Sequence, residues 1–405
     1  MLVKRKIEGT ILRYLENREI IALVGPRQCG KTTVMQKIFA SLENAVFLSF
    51  EDQETLSLFN RNIKEFIKTY VVGHDYLFID EFQYAQNGGK LLKYIYDEHK
   101  IKIIISGSSA IDLTVKAVKF LVGRIFVFEM FPFDFEEYLR AKDSGVLKLY
   151  QKNKFDLVKG EECTLLAEEK KALMLYYKDF AVYGGYPRVV IAKTGEEKKE
   201  VLKNIYNTYF LRDVKDVLGL IDDYKLFNLI KALSLQIGQM IQGTELAAVS
   251  EFSPLTIKKY LNFLSKTYIC DFARPFHKNR RKEIVKNQKV FFFDTGLRNQ
   301  VLNDFRPFGD RDDAGSLLEN IFWTEIIKRG LRPQFWRDKN KNEIDFIVEI
   351  GDAKTVAIEV KLKMERILNH PLAFTGDYKD VLNYGAYLEG SRHNSQIKKI
   401  FLPLF

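Results

Sequence analysis

The sequence predicts an α/β protein in four successive segments: a phosphate-binding domain over 1–140, a helical lid over 141–224, a winged helix over 225–305, and a second α/β domain over 306–405. Three observations predict it. A strand, a glycine-rich loop and a helix stand in that order near the N-terminus. Three amphipathic helices followed by a β-ribbon pattern occupy 227–293. Two period-two strands follow an acid-bearing helix near the C-terminus.

At 405 residues the chain is long for one core, which favours several domains. A formal net charge of +10 fits an anionic partner, nucleic acid before an acidic membrane surface, or else a lysine-rich proteome. The 3 cysteines, Cys29, Cys163 and Cys270, are widely spaced, which argues against a disulfide framework or a zinc site and fits a reducing cytosol. No apolar run approaches the roughly 18 residues of a membrane span, and the N-terminal stretch lacks a signal peptide's apolar core. The expected location is cytoplasmic, with no membrane partner.

The stretch "EIIALVGPRQCGKTTVMQKIF" reads as strand, loop and helix, and residues 25–32 match G-x-x-x-x-G-K-[ST]. Gly25 and Gly30 let the backbone curl, so that the N–H groups of Pro26's successors Arg27, Gln28 and Cys29 and of Lys31, Thr32 and Thr33 can surround a β-phosphate. The helix that follows turns its positive end to the same anion. Lys31 is placed to reach the β- and γ-phosphates, and Thr32 to offer its hydroxyl to Mg²⁺. These residues predict ATP and Mg²⁺ as cofactors.

Next, "YLFIDEFQ" ends an apolar strand in two carboxylates. Asp80 is the candidate for a Mg²⁺-bound water, and Glu81 for orienting or deprotonating the attacking water. The strand "IKIIISGSSA" ends in small hydroxyl residues. In P-loop ATPases with an additional strand between the phosphate-binding and acidic strands, a polar residue there senses the γ-phosphate. Ser106 and Ser108 are both candidates.

In "FLVGRIFVFEMFPFDFEEYL", a "GR" loop precedes a strand and a "P-x-x-F-x-E" helix start. Here the chain resembles a family of prokaryotic AAA-type ATPases. The resemblance implies that Arg124 stabilises charge on the γ-phosphate, in its own chain or a neighbour's; a surface arginine capping a loop is the plain alternative. "YGGYPRVV" and "YFLRDV" also recur in that family and are read as packing and lid geometry.

The helices "FNLIKALSLQIGQMIQ", "TELAAVSE" and "SPLTIKKYLNFLSKTYIC" stand in winged-helix order before "KVFFFD", with Ser253 as N-cap and Pro254 at the first helical position. Lys258 and Lys259 on the third helix, and Lys278, Arg280, Arg281 and Lys282 on the expected wing, are the candidate DNA contacts. Packing within the chain, with a solvated hairpin tip, is the alternative.

The helix "AGSLLENIFWTEIIKRG" carries an apolar arc of Leu317, Leu318, Ile321 and Phe322, with Glu325 inside it and Glu319 beyond it. In "NEIDFIVEIGDAKTVAIEVKLK", Ile344, Phe346, Val348 and Ile350 share one face of a strand, opposite Glu343, Asp345 and Glu349. On the next strand Val356, Ile358, Val360 and Leu362 oppose Glu359, Lys361 and Lys363. The order helix-Glu, strand-Asp, strand-Glu-x-Lys is the layout of the restriction-endonuclease-like fold. Asp345 and Glu359 with a peptide carbonyl could then hold Mg²⁺ or Mn²⁺, and Lys361 would activate the attacking water. Glu319 is preferred to Glu325 because "G-x-x-x-E" over 315–319 resembles that superfamily's first helix. The alternative is an amphipathic hairpin with a merely wet outer face.

The whole ordering resembles the AAA-type ATPases whose C-terminal domain of uncertain function has this nuclease-like core. It implies a Mg²⁺-dependent ATPase that moves a DNA-binding, potentially nucleolytic domain. The rival classes are a slow signalling or defence switch acting through a protein partner, and a motor-like oligomeric ring with Arg124 working in trans.

Overall fold

The computed structural model describes residues 2–107, 120–157, 159–160, 165–210, 223–277, 287–351, 354–367, 371–378, 381–390 and 398–405. These fall into two compact units. One is Met1–Pro132 with Lys266–Ile269, the other Phe133–Ser265 with Cys270–Phe405.

The first unit is built on five parallel strands: β1 (Ile20–Val24), β2 (Ala45–Ser49), β3 (Tyr76–Asp80), β4 (Lys102–Gly107) and β5 (Ile125–Glu129). Their order is β2-β3-β4-β1-β5, so β4 is the additional strand between β1 and β3. Every residue of β1 is buried, because helices cover both faces of the sheet. Ile21 and Leu23 pack with Val34, Met35 and Ile38 of α2 (Lys31–Phe39) and Ile11 of α1 (Lys6–Arg13). Ile20, Ala22 and Val24 face α3 (Gln53–Arg61), α4 (Ile63–Tyr70) and α5 (Gly88–Glu98) through Phe59, Phe66, Leu92 and Ile95. Each large side chain so buried contributes about 1.5–3 kcal/mol. The carboxyl ends of β1, β3 and β4 therefore lie side by side.

In the second unit, α6 (Phe135–Lys142) starts at Asp134, which exchanges bonds with Glu137 in a capping box. Helices α7 (Ser144–Asn153), α8 (Ala167–Tyr183), α9 (Pro187–Ile191) and α10 (Gly195–Ile205) follow. Then come α11 (Asp223–Leu235), α12 (Gly243–Ser250), α13 (Pro254–Lys266) and an antiparallel ribbon of β6 (Cys270–Ala273) and β7 (Lys289–Phe292). Bridges from Ile237 and Met240 to Val290 and Lys289 add a third element to that ribbon. The role of the "GG" pair is local: Asp294 accepts from Gly185 N at 2.7 Å and from Leu297 N at 2.9 Å, capping α14 (Thr295–Leu302). A Cβ at Gly184 would stand 2.2 Å from the Asp294 carboxylate.

The segments expected over 141–224, 225–305 and 306–405 touch one another within the second unit. Asn299 donates to Val182 O at 2.8 Å, and Asn320 of α15 (Ala314–Lys328) closes two bonds with the backbone of Phe292, at 2.7 and 2.8 Å. Buried polar side chains thus tie the helical segment to α14, and the ribbon to α15.

That sheet has the order β12-β11-β10-β9-β8. Strands β8 (Gln334–Arg337), β9 (Glu343–Ile350) and β10 (Lys354–Lys363) run antiparallel, while β10, β11 (Val381–Glu389) and β12 (Lys398–Phe401) run parallel. Both faces of β9 are buried. Phe346 packs on Phe322 of α15, and Ile347 and Ala357 pack with Phe374 of α16 (Leu372–Asp377). The polar faces of this hairpin are accordingly not merely wet.

Candidate functional site

In the first unit, Gly25 has φ +155 and approaches β5 so closely that a Cβ would meet Met130 O at 2.0 Å. Gly30, at φ +99, ends the loop as the residue before α2. Lys31 is buried, with Nζ donating to the loop carbonyls of Gly25 at 2.9 Å and Pro26 at 2.8 Å. Thr32 Oγ1 donates to Asp80 Oδ2 at 2.7 Å. The other Asp80 oxygen accepts from the Ser106 hydroxyl and, at 3.1 Å, from Glu81 N. Glu81 N also lies 3.3 Å from Ser106 Oγ. Glu81 itself has φ 53 and ψ 42, a left-handed conformation of about 1–2 kcal/mol cost for a residue with a side chain. Its carboxylate accepts from Gln83 Nε2.

This geometry joins Gly25, Pro26, Lys31, Thr32, Asp80, Glu81 and Ser106 at one edge of the sheet. Arg27, Gln28, Cys29, Gly30 and Thr33 complete the loop and the first helical turn, and Gln28 also has a positive φ of 59. Ser108 lies outside the described residues. Arg124 requires a correction. Its carbonyl bonds Ile20 N at 2.8 Å, at the amino end of β1, and its guanidinium pairs with Asp97 at 3.0 Å. Four residues of parallel strand, about 13 Å, separate that level from the loop after Val24. Arg124 is therefore at the wrong end of the sheet to touch a nucleotide in its own chain. The sequence did not reveal this because a loop "GR" precedes a strand at either edge.

Two residues escaped the sequence reading. Arg5, buried, donates from Nη1 to Cys29 O and from Nη2 to Phe131 O, each at 2.7 Å, and so braces the loop against the chain after β5. Gln83 holds Glu81. Neither contact has a short-range sequence signal.

In the second unit, the register Ile358↔Phe346 continued by one residue sets Asp345 opposite Glu359. Lys361 Nζ lies 2.9 Å from Asp345 Oδ2 and 2.6 Å from Glu359 Oε2. Val360 N donates to Asp345 Oδ2 at 2.8 Å. Burial opposes the Asp345 charge, yet Lys361, Lys289 and the Val360 bond outweigh it and hold the carboxyl below the usual range. Burial and then the Asp345 charge push Glu359 up to about 7. The same two causes push Glu319 up to about 8, against Lys289 and Lys361. Glu319 lies beside Gly238, where an added Cβ would stand 2.9 Å from its Oε2. Glu325 is buried elsewhere, 3.6 Å from Lys328.

Among the described residues no three His, Cys, Asp or Glu side chains form a metal cage. Two carboxylates suit a cation that keeps several waters and takes further oxygens from a phosphate, which describes Mg²⁺. Asp345 and Glu359 are the pair that would hold it.

Lys258 and Lys259 are exposed on α13, whose Ile257, Tyr260, Phe263 and Leu264 are buried. A cavity of about 650 Å³ beside that helix is lined by Lys258, Asn262, Ser265, Arg274, Arg332 and Glu349, among others. Lys278, Arg280, Arg281 and Lys282 lie outside the described residues. No helix among the described residues is long and apolar enough to cross a membrane.

Residues 17–139 match the family described as an AAA domain. The first unit is thus similar to an AAA domain and carries the P-loop arrangement described above. Residues 174–307 and 314–404 match two domains of unknown function, DUF8612 and DUF4143. An uncharacterized protein of Haemophilus influenzae is 24% identical over 408 residues, covering 96% of this chain and 94% of its own. The uncharacterized protein MJ1544 of Methanocaldococcus jannaschii is 24% identical, covering 86% and 75% respectively. Among solved structures, the Walker-type ATPase PABY2304 of Pyrococcus abyssi aligns with TM-score 0.47 and 15% identity, over 74% of this chain and 96% of that one. The Aeropyrum pernix ORC1 protein, solved in complex with DNA, aligns with TM-score 0.32 and 13% identity, over 75% and 93%.

Proposed function

We propose that this protein is a Mg²⁺-dependent ATPase whose nucleotide state controls a DNA-binding, nucleolytic site in the C-terminal sheet. The observation that carries the second half is the convergence of Asp345, Glu359 and Lys361 from two adjacent strands onto one spot.

At the nucleotide site, Thr32 and Asp80 would hold Mg²⁺, which supplies positive charge to the phosphate oxygens. Lys31 exchanges its two loop carbonyls for β- and γ-phosphate oxygens. Glu81 takes a proton from the attacking water or orients it, and Gln83 fixes its carboxylate. Ser106, already bonded to Asp80, stands where a γ-phosphate would be sensed.

At the second site, Asp345 and Glu359 would hold the cation, which stabilises charge developing on a scissile phosphate. Lys361, hydrogen-bonded to Asp345 and ion-paired with Glu359, would orient the attacking water. The order of α11–α13 and the β6–β7 ribbon supports a winged helix, and the exposed Lys258 and Lys259 would meet phosphates there.

The test is a cleavage assay of wild type and Asp345→Ala on linear, single-stranded and branched DNA, in Mg²⁺ or Mn²⁺, with and without ATP. Cutting that the mutation abolishes supports the reading. DNA binding without cutting by either protein overturns the nucleolytic half, and a protein partner becomes the target to seek. ATP hydrolysis surviving Lys31→Ala would sink the first half.

A further inference from the structure

Helix α13 has two working faces. Ile257, Tyr260, Phe263 and Leu264 enter the core. Lys258, Leu261, Asn262 and Ser265, at the i, i+3, i+4 and i+7 spacing of one helical stripe, line the cavity of about 650 Å³ instead. A helix that reads a major groove presents such a stripe to open solvent. Here Phe272 of β6, Gln334 of β8 and Ile327 of α15 line the same cavity. Its volume lies within the roughly 300–1,000 Å³ of small-ligand sites.

The lining sorts by chemistry. Leu261, Phe272 and Ile327 offer apolar surface, which suits the faces of a planar ring. The amides of Asn262, Gln288 and Gln334 each offer a donor and an acceptor, the pair that a base edge requires. Lys258, Arg274 and Arg332 supply positive charge, and all three are exposed. Asp271 lies 3.4 Å from Arg332 Nη1 and accepts from Ser265 Oγ at 2.8 Å and from Phe272 N at 2.9 Å, so its charge is answered within the wall. Among the described residues neither Lys258 nor Arg274 pairs with a carboxylate. The other carboxylate of the lining, Glu349, is exposed and can accept from a sugar hydroxyl. Two uncommitted cations beside apolar surface and amides suit an anion with a flat, hydrogen-bonding body.

We propose that this cavity binds one nucleotide unit, a base with its sugar and phosphate, at a site separate from the phosphate-binding loop. The base rests on the apolar lining and meets the amides, while Lys258 and Arg274 take the phosphate. The site uses no residue of the ATP loop or of the carboxylate cluster, and it stands whether or not DNA is cut. A free nucleoside monophosphate and the unpaired end of a nucleic-acid strand carry the same chemistry.

The experiment is isothermal titration calorimetry in EDTA on the full chain carrying Lys31→Ala, which weakens the phosphate-binding loop. The titrants are AMP, inorganic phosphate and a 5′-phosphorylated trinucleotide. One AMP per chain is expected. Lys258→Glu and Arg274→Glu, both at exposed positions, should each weaken it about tenfold to a hundredfold, the weight of a hydrogen bond to a charged group. Lys231→Glu makes the same charge change on α11 outside the cavity and should leave the affinity unchanged. Tighter binding of the trinucleotide than of AMP, with the same dependence on Arg274, makes the ligand a strand end. Binding of AMP at least as tight makes it a free nucleotide, and either outcome supports the site. Inorganic phosphate binding as tightly as AMP overturns the proposal, because the base then contributes nothing. Equal weakening by all three charge reversals, unchanged affinity in Arg274→Glu, or no binding of AMP and trinucleotide overturns it as well. Each of these failures leaves ATP hydrolysis and DNA cleavage to their own tests.

Discussion

Thr32 and Asp80, 48 positions apart in sequence, are joined by a 2.7 Å hydrogen bond from Oγ1 to Oδ2. The bond ties the first turn of α2 to the end of β3 and leaves Asp80's other oxygen to Ser106 and Glu81 N. Asp80 is thus the hub of the site. Asp80→Asn removes its charge while keeping its shape, and hydrolysis should fall by about 10²–10³-fold, the range for loss of one electrostatic stabiliser. Phosphate release checks the rate, and a fluorescent ATP analogue should still bind.

Glu81 separates chemistry from stability. Glu81→Gln should slow hydrolysis by roughly 10²–10⁴-fold, the usual weight of a general base. Its left-handed backbone gives a second readout. Glu81→Gly relieves about 1–2 kcal/mol of local strain and loses about 0.5–1 kcal/mol through the freer unfolded chain. The glycine variant should be inactive and no less stable than wild type in urea denaturation. A large loss of stability would show that the side chain, through Gln83, holds the fold.

The phosphate-binding loop was legible because its chemistry is local: eight consecutive residues carry the curl, the lysine and the hydroxyl. Asp80 and Glu81 were legible because they end an apolar strand. Period two put Glu359 and Lys361 on one side of their strand, but the register that brings Asp345 to them was visible only in the structure. Contacts between residues far apart in sequence were not legible. Arg5 reaches Phe131 across 126 positions, and Lys289 resembled every other lysine of a basic run until β7 was seen to be buried. Only the same-chain role of Arg124 is overturned, for a related reason, since the loop itself does not tell which edge of a sheet it caps.

Asp294 explains why two glycines stand together at 184 and 185. One carboxylate caps α14 and also accepts from Gly185 N, and Gly184 leaves no room for a side chain against it. Asp294→Ala removes the cap and orphans a buried N–H, a loss of about 1–3 kcal/mol for each such group. The urea midpoint should fall accordingly, while ATP affinity should stay unchanged. An unchanged midpoint would mean that water replaces the carboxylate.

Glu319 gives stability a dependence on pH. Burial, then the Asp345 charge, push its carboxyl from an ordinary 4.5 up to about 8. Between those values the native chain holds a proton that the unfolded chain has released. A folded-state pKa above the unfolded one stabilises most below about pH 4.5, and that contribution is lost as pH rises through about 8. Glu359, pushed up to about 7, has the same sign but is present in both proteins to be compared. Glu319→Gln removes one titration and keeps the shape of the neutral acid. In EDTA, wild type should lose stability relative to the variant as pH rises from 5 to about 9, and the difference should flatten at the acid end. Denaturant midpoints at several pH values measure it. Parallel curves would mean that Glu319 is ionised throughout, with Lys289 and Lys361 outweighing both its burial and Asp345.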